Sequence, residues 1–560
     1  MVHNSYFCLM GFDSIIIGSG AGGLSAALCL ARAGQKVLVL EQHYVPGGWC
    51  HSFHLNGARF TPGVHYIGLL GKGESTHELY EGLGIANDLT FYQLNPNAFE
   101  HCWIGDERFD FPSNYDELQE KLTERFPKEK KNIARYLKTV KQVSTELQLI
   151  PKMSGFWDNI TIPFRTKHLG KYGLFTLKRV IDWHIKDPLL KKFLNIQCGD
   201  HGLPPGQASF PLHCAVMDHY FSGGFYPMGG GGSIVKAMTT KLKSYGGEIR
   251  TQQKVERILL DENKKAIGVK LASGEEILSK RIVSNADPSI TYLDMIGKEN
   301  ISKKLSEKLD KTRYSCTSLM LFLTVDMDVK KAGLDSGNIW MMSDKDSDEL
   351  YNDLMGKDIS SGDTFEGMFV SCTTLKDPVS FDGKHHTIEA ITYINHEAFD
   401  DFKNEGDKRS PEYLAFKELL TQKMINTLEK VIPGVSKHII HQDLGTPITN
   451  KHFINSTNGS VYGTEKTFKQ IGPFAYNSKS EIENLYLCGA SILSHGVAGA
   501  SYSGVQTAAQ ILGCKQHDLL KFDKDQNIKV FNAEDDSNYP DWMMAKIKAK
   551  KDRLAKNKAQ

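Results

Sequence analysis

The stretch that most constrains this chain lies close to its start. Asp13, Ile15, Ile16 and Ile17 lead into Gly18-Ser19-Gly20-Ala21-Gly22-Gly23, and Leu24, Leu28 and Ala31 then recur at helical spacing before Val37-Leu38-Val39-Leu40 and Glu41. A short apolar run ending in glycine reads as a buried parallel strand, so the series is strand, tight turn, helix, strand. Gly18 permits the turn, Gly20 admits a phosphate to the backbone, and Gly23 lets helix and strand pack closely, while free N–H groups at the helix start face a pyrophosphate. Glu41 closes the second strand about 20 residues on, where an acid accepts from a ribose hydroxyl. An ordinary glycine-rich βαβ turn shares the glycines but has no use for the terminal acid, and the full order predicts a dinucleotide site.

Composition excludes more than it assigns. Lys and Arg number 67 against 66 Asp and Glu, a net charge of +1, which leaves no global field to draw in nucleic acid. The Lys128, Lys130, Lys131 cluster has no aromatic stacking pattern beside it and reads as a solvated helix face. Ten cysteines contain no Cys-x-x-Cys pair, so neither a zinc ribbon nor a redox dithiol is indicated, and scattered thiols in a reducing compartment are expected. His201, His213 and His219 lack a ligand spacing, so no metal is expected. Residues 1–10 have no Lys or Arg ahead of an apolar core, and no uninterrupted run of about 18 apolar residues follows anywhere, so a cytoplasmic protein without a secretory signal or membrane span is expected.

Along the chain, Pro46-Gly47-Gly48 and Gly63-Val64-His65-Tyr66 follow the first motif. Residues 75–220 alternate charged helical segments with aromatic pieces such as Phe91-Tyr92 and His101-Cys102-Trp103, which predicts an inserted, mainly helical cap. A denser stretch runs from Cys198-Gly199-Asp200-His201-Gly202 to Gly223-Gly224-Phe225-Tyr226-Pro227 and four glycines. The pattern then returns to α/β, with a helix over 234–245 and strands over 248–250, 254–259, 266–271 and 276–282. Strands over 317–325, 366–372 and 387–395 form a separate layer, and Asn484–Ala490 is a buried strand leading into a small-residue helix from Gly496 to Leu512. The last twenty residues carry seven Lys or Arg with Met543, Ile547 and Leu554 at helical spacing, either a solvated terminal helix or one that lies on an anionic membrane.

These motifs carry a likeness. The Gly18 fingerprint, Pro46-Gly47-Gly48, Gly63-Val64-His65-Tyr66-Ile67-Gly68, Phe225-Tyr226-Pro227, Val283-Ser284-Asn285-Ala286-Asp287 and the Gly489 segment together resemble the carotenoid desaturase, carotenoid isomerase and retinol saturase superfamily, over roughly residues 12 to 513. His219-Tyr220 and Thr446-Pro447-Ile448-Thr449-Asn450 look most like its all-trans-retinol 13,14-reductase branch. Where many flavoproteins have Asp after the glycine of the last motif, this chain has Ala490.

The resemblance implies an α/β fold: a Rossmann-like FAD-binding domain of the amine oxidase or phytoene desaturase type, built from residues 12–70, 226–290 and 475–514, interleaved with a mixed α+β substrate domain from 71–225 and 291–474, and a basic tail over 515–560. It implies FAD held by Gly18, Gly20, Gly22, Gly23, Glu41, Gln42, Gly47, Gly48, Val255, Gly489, Ala490, Val497, Ala498 and Gly499. The implied chemistry is hydride exchange between the flavin and a C=C or CH–CH unit of an apolar polyene or isoprenoid. Saturation also needs a proton, for which His65, Tyr66 and His219 are the candidates, with His495 behind them. No second Gly-x-Gly-x-x-Gly follows a later strand. The electron partner stays open among a quinone, oxygen, a carrier protein and transient NAD(P)H. Carotenoid desaturation and isomerisation remain alternatives, as does a prenyl-binding protein of the GDP dissociation inhibitor type, which shares the fold without flavin chemistry; Gly23 and Glu41 argue against the last.

Overall fold

The computed structural model describes residues 11–150, 161–162, 164–403, 409–521 and 526–559, with side chains to residue 552. The N-terminal ten residues, Cys8 among them, and the side chain of Leu554 therefore lie outside the described residues.

Strand β1 (Phe12–Ile17), helix α1 (Ala21–Arg32) and strand β2 (Val37–Leu40) form the expected βαβ unit. Ile15, Ile16, Val37, Leu38 and Val39 are wholly buried. Each such side chain is worth about 1.5–3 kcal/mol on burial, which fixes the strands centrally in their sheet. Glu276–Ser284 lies parallel to β1, Leu485–Leu487 parallel to Glu276–Ser284, and Glu248–Arg250 parallel to β2. An antiparallel hairpin of Val255–Leu260 and Ala266–Leu271 extends the edge, completing a sheet of seven strands among the described residues. Strands from three distant blocks of chain thus share one sheet.

A second sheet, also of seven strands, has Thr317–Val325, His386–Ile394, Gly367–Cys372 and Asn338–Met342 antiparallel at its centre. Asn338–Met342 then pairs in parallel with Glu100–Ile104, which forms a hairpin with Glu107–Phe111. The block expected to be a helical cap is therefore mixed: its aromatic pieces are strands, because alternating Glu100, Cys102 and Ile104 are buried on one side of a sheet. Helices such as Tyr115–Arg125 and Lys130–Leu149 do pack over it. Phe91-Tyr92 belongs to a third, three-stranded sheet with Phe225–Pro227 and Lys529–Asn532.

Lys529–Asn532 draws the tail onto the body of the protein. In the terminal helix Met543 is fully buried, its sulfur accepting from Tyr92 Oη at 3.3 Å, and Ile547 packs on the same cluster. Two of the three apolar residues expected to line one face of the tail thus face the fold. Among the described residues no helix is long and apolar enough to cross a membrane, and no disulfide joins the described cysteines.

Candidate functional site

At the C-terminal end of β1 the chain has no room for side chains. A Cβ on Gly23 would stand 2.2 Å from the carbonyl oxygen of Gly18, which is why α1 can spring directly from the turn. A Cβ on Gly22 would meet Ala500 O and Gly489 N, each at 2.9 Å, and one on Gly504 would meet Gly22 O at 2.1 Å. The start of α1 is therefore pressed against the helix Gly496–Leu512, and the N-termini of both helices reach one cavity. Glu41 turns inward beside them: its Oε2 accepts from the Ser19 N–H at 2.9 Å and the Ser19 hydroxyl at 2.5 Å, and its Oε1 from the His43 N–H at 2.9 Å.

Gly18, Gly20, Gly22, Glu41, Gln42, Gly47, Gly48, Val255, Gly489, Ala490 and Val497 all line this cavity, whose empty space, including its open mouth, is about 1780 Å³. Gly23, Ala498 and Gly499 do not line it; Gly23 serves the turn, and a Cβ on Gly499 would strike Ser494 at 2.8 Å. Two helix N-termini, a glycine cradle between them, and an inward carboxylate fit a dinucleotide cofactor such as FAD. Asn285 belongs with this set. Its side-chain amide lies 2.6 Å from where a Cβ on Gly20 would stand, and it lines the cavity. Ala490, standing where an Asp was to be expected, has its carbonyl bound by Lys466 Nζ at 2.6 Å, an amine that burial pushes down to about 7.

The four proton-donor candidates separate. His65 and Tyr66 line the cavity, whereas His219 and His495 do not. His219 Nε2 accepts from the Gly68 N–H at 2.8 Å, and burial lowers its pKa to about 4, so it is a neutral acceptor that fixes the backbone after Tyr66. His495 caps the helix Gly496–Leu512, and burial together with the Lys466 charge drives its pKa to about 3. His201 and His213 are a packed pair, Nε2 to Nδ1 at 3.3 Å, with burial holding both below the ordinary imidazole range. Among the described residues no group of His, Cys, Asp or Glu is arranged to hold a metal.

The far wall of the same cavity is apolar and aromatic: Met320, Trp340, Phe369, Ile391 and Val461, with Tyr393 and Tyr462. At and behind this wall stand buried polar groups. Tyr66, stacked on Tyr220 at 4.3 Å, points its hydroxyl at Glu100 Oε1, 2.6 Å away, and at Asp200 Oδ2, 3.0 Å away. His65 Nδ1 lies 3.2 Å from Glu389 Oε2, whose other oxygen accepts from the Thr61 N–H at 2.7 Å. Lys376 donates to His65 O at 2.8 Å, Ser371 Oγ at 2.6 Å and Asn338 Oδ1, and burial brings its amine down to about 7. Gly199 lets Trp340 in, since a Cβ there would stand 2.0 Å from the indole; this seats Asp200 at the wall.

With this geometry in hand, likeness to known proteins is informative. The flavin containing amine oxidoreductase family profile matches residues 21–512. An all-trans-retinol 13,14-reductase of Danio rerio is 29% identical over 528 residues, 90% of this chain and 86% of that protein. A chloroplastic prolycopene isomerase of Daucus carota is 27% identical over 530 residues, 90% of this chain and 81% of that protein. Among solved structures an oxidoreductase from Methanosarcina mazei superposes with a TM-score of 0.59 at 16% identity, covering 90% of this chain and all of that one, a likeness of fold.

Proposed function

This chain belongs to the flavin containing amine oxidoreductase family, and from that premise we propose that it is an FAD-dependent oxidoreductase that saturates a C=C bond of a conjugated polyene, a retinoid or related isoprenoid. One observation carries the reading: a single cavity has the glycine cradle and Glu41 at one end and the apolar wall of Met320, Trp340, Phe369, Ile391 and Val461 at the other. A flat, unsaturated hydrocarbon meets such a wall without stranding polar groups. The retinol reductase relative supports this class of substrate, and the prolycopene isomerase relative supports a polyene in either case.

When bound, FAD supplies hydride chemistry at a carbon of the double bond. The chain's own residues hold and orient. Gly18, Gly20, Gly22 and the N-terminus of the helix Gly496–Leu512 would take the pyrophosphate, Glu41 a ribose hydroxyl, and Asn285 the turn between them. The aromatic wall excludes water and aligns the substrate.

The test is product analysis. Flavin-loaded protein is incubated with all-trans-retinol, phytoene and poly-cis lycopene, under reducing and oxidising conditions, with NAD(P)H the first physiological reductant to try. A product heavier by two hydrogens is expected. An unchanged mass with a shifted spectrum would make the protein an isomerase, a loss of two hydrogens a desaturase, and no turnover of any polyene would overturn the reading.

A further inference from the structure

Glu100, on the strand Glu100–Ile104, and Asp200, in the turn Ile196–His201, are brought together at the hydroxyl of Tyr66. A phenol has one hydrogen to give, so it satisfies one of two carboxylates, and the second oxygen must bring a hydrogen of its own. The surroundings decide which. Burial raises both carboxyls, but Glu100 is the better supported anion: its Oε1 takes the shorter contact, 2.6 Å, and its Oε2 accepts from Gln197 Nε2 at 3.0 Å, two hydrogen bonds that pull against its burial. Tyr66 is the hydrogen-bonding side chain that meets the Asp200 carboxyl, at the longer 3.0 Å. The order of hydrogens is therefore Asp200 O–H to Tyr66 Oη, and Tyr66 O–H to Glu100. Burial, reinforced by the Glu100 charge, holds Asp200 well above the ordinary carboxyl range.

Of the three groups, Asp200 and Tyr66 line the cavity and Glu100 stands behind them. We propose that Asp200 is the proton donor of this site, a neutral acid that shares one proton with Glu100 across the Tyr66 hydroxyl and delivers it to a carbon of the substrate double bond.

Two further groups beside this pair, Tyr66 and Lys376, are committed. Burial, with the Glu100 charge, pushes the Tyr66 hydroxyl well above its ordinary range, so a phenolate between two carboxyls is disfavoured and Tyr66 acts as a positioning residue. The three ammonium hydrogens of Lys376 have three acceptors in His65 O, Asn338 and Ser371.

The inference rests on the polyene-reduction reading. The hydride, with its two electrons, comes from the reduced cofactor to one alkene carbon. The π pair forms the C–H bond at the other carbon with the Asp200 proton, while the Asp200 O–H bond breaks and leaves its electron pair on the carboxylate. The substrate gains two hydrogens, the cofactor gives up two electrons, and Asp200 ends as an anion.

Asp200→Asn tests this without emptying the site, because asparagine has the shape and neutrality of the protonated acid. Two measurements use the flavin-loaded protein. In infrared difference spectra without substrate, wild type should show a deuterium-sensitive carbonyl stretch of a buried, protonated carboxyl at neutral pH, absent from D200N. In anaerobic rapid mixing, flavin is reduced chemically with dithionite and then mixed with all-trans-retinol. Its reoxidation should slow roughly 10²–10⁴-fold in D200N, with reduction by dithionite and flavin content unchanged, and D200E should recover part of the rate. A carboxyl band that survives in D200N, or wild-type reoxidation by that variant, overturns the proposal. If wild-type reduced flavin is inert to every polyene while the Asp200 band is present, the substrate reading falls and the delivery step falls with it, leaving the shared proton.

Discussion

The two ends of the cavity are built by opposite means. The nucleotide end is made mostly of backbone: Gly22 and Gly23 leave no space for a Cβ against neighbouring main chain, and helix starts with Glu41 supply the polar groups. The wall opposite is made of side chains brought from far apart: Tyr66, Asp200 and Trp340 line it, Glu100 and Lys376 stand behind it, and the five come from separate segments, with titratable groups buried among aromatic rings. A site built on backbone tolerates almost no substitution in shape. A side-chain site tolerates small changes of shape and depends on where its protons sit.

The sharpest way to break that contrast is Gly23→Ala. Its new methyl would stand 2.2 Å from Gly18 O, so β1 and α1 cannot keep their spacing. Such overpacking costs about 1–3 kcal/mol, and the purified variant should carry no flavin absorbance. Flavin retained at the wild-type level would mean that the turn has more give than its geometry allows. On the other wall, Tyr66→Phe should leave flavin content untouched while slowing reoxidation of reduced flavin by retinol roughly 10²-fold, since the two carboxyls lose the hydroxyl between them. Loss of flavin from Y66F would show that the two ends are not separable.

How legible each end is in the sequence follows from the same contrast. Backbone sites are written as glycines at fixed offsets, so the βαβ unit and the residues from Gly18 to Gly48 can be read in a line. Asn285 and Asp200 sat inside stretches that stood out, Val283–Asp287 and Cys198–Gly202, but nothing in the spacing gave either side chain a direction. Glu100 and Lys376 carry no local signal at all. A lone Glu in Phe99-Glu100-His101 reads as surface until the pairing of Glu100–Ile104 with Asn338–Met342 buries it. The same pairing made strands of aromatic pieces that alternate with helical segments, because long-range register overrides the character of the neighbours.

A gentler probe is pH, read at His101 on the strand that carries Glu100. Burial alone would push the His101 imidazole down, but Asp110 at 2.8 Å and Asp335 at 2.9 Å outweigh it and raise its pKa to about 9. The stabilisation is complete below the unfolded value near 6.5 and is lost as pH climbs through 9. At most about 3 kcal/mol is at stake. Urea titrations from pH 6.5 to 9.5 should show it in wild type and not in His101→Gln; an equal slope in both would remove His101 from the account. The smallest effect on chemistry is expected at His219. His219→Ala leaves the Gly68 N–H without its acceptor and should cost about 1–3 kcal/mol in unfolding free energy, with the retinol-dependent rate close to wild type. A collapse of that rate at full flavin content would restore His219 as a proton donor.

The contact between Gly22 and Gly504 ties residues near the start of the chain to a helix close to its end. During synthesis, β1 and α1 leave the ribosome long before the strand Leu485–Leu487 and the helix that completes the cradle. Closing so long a loop is entropically costly and slow. Cofactor capture is thus postponed until the helix Gly496–Leu512 has been made, and a bound flavin reports that every segment from β1 to that helix has been assembled.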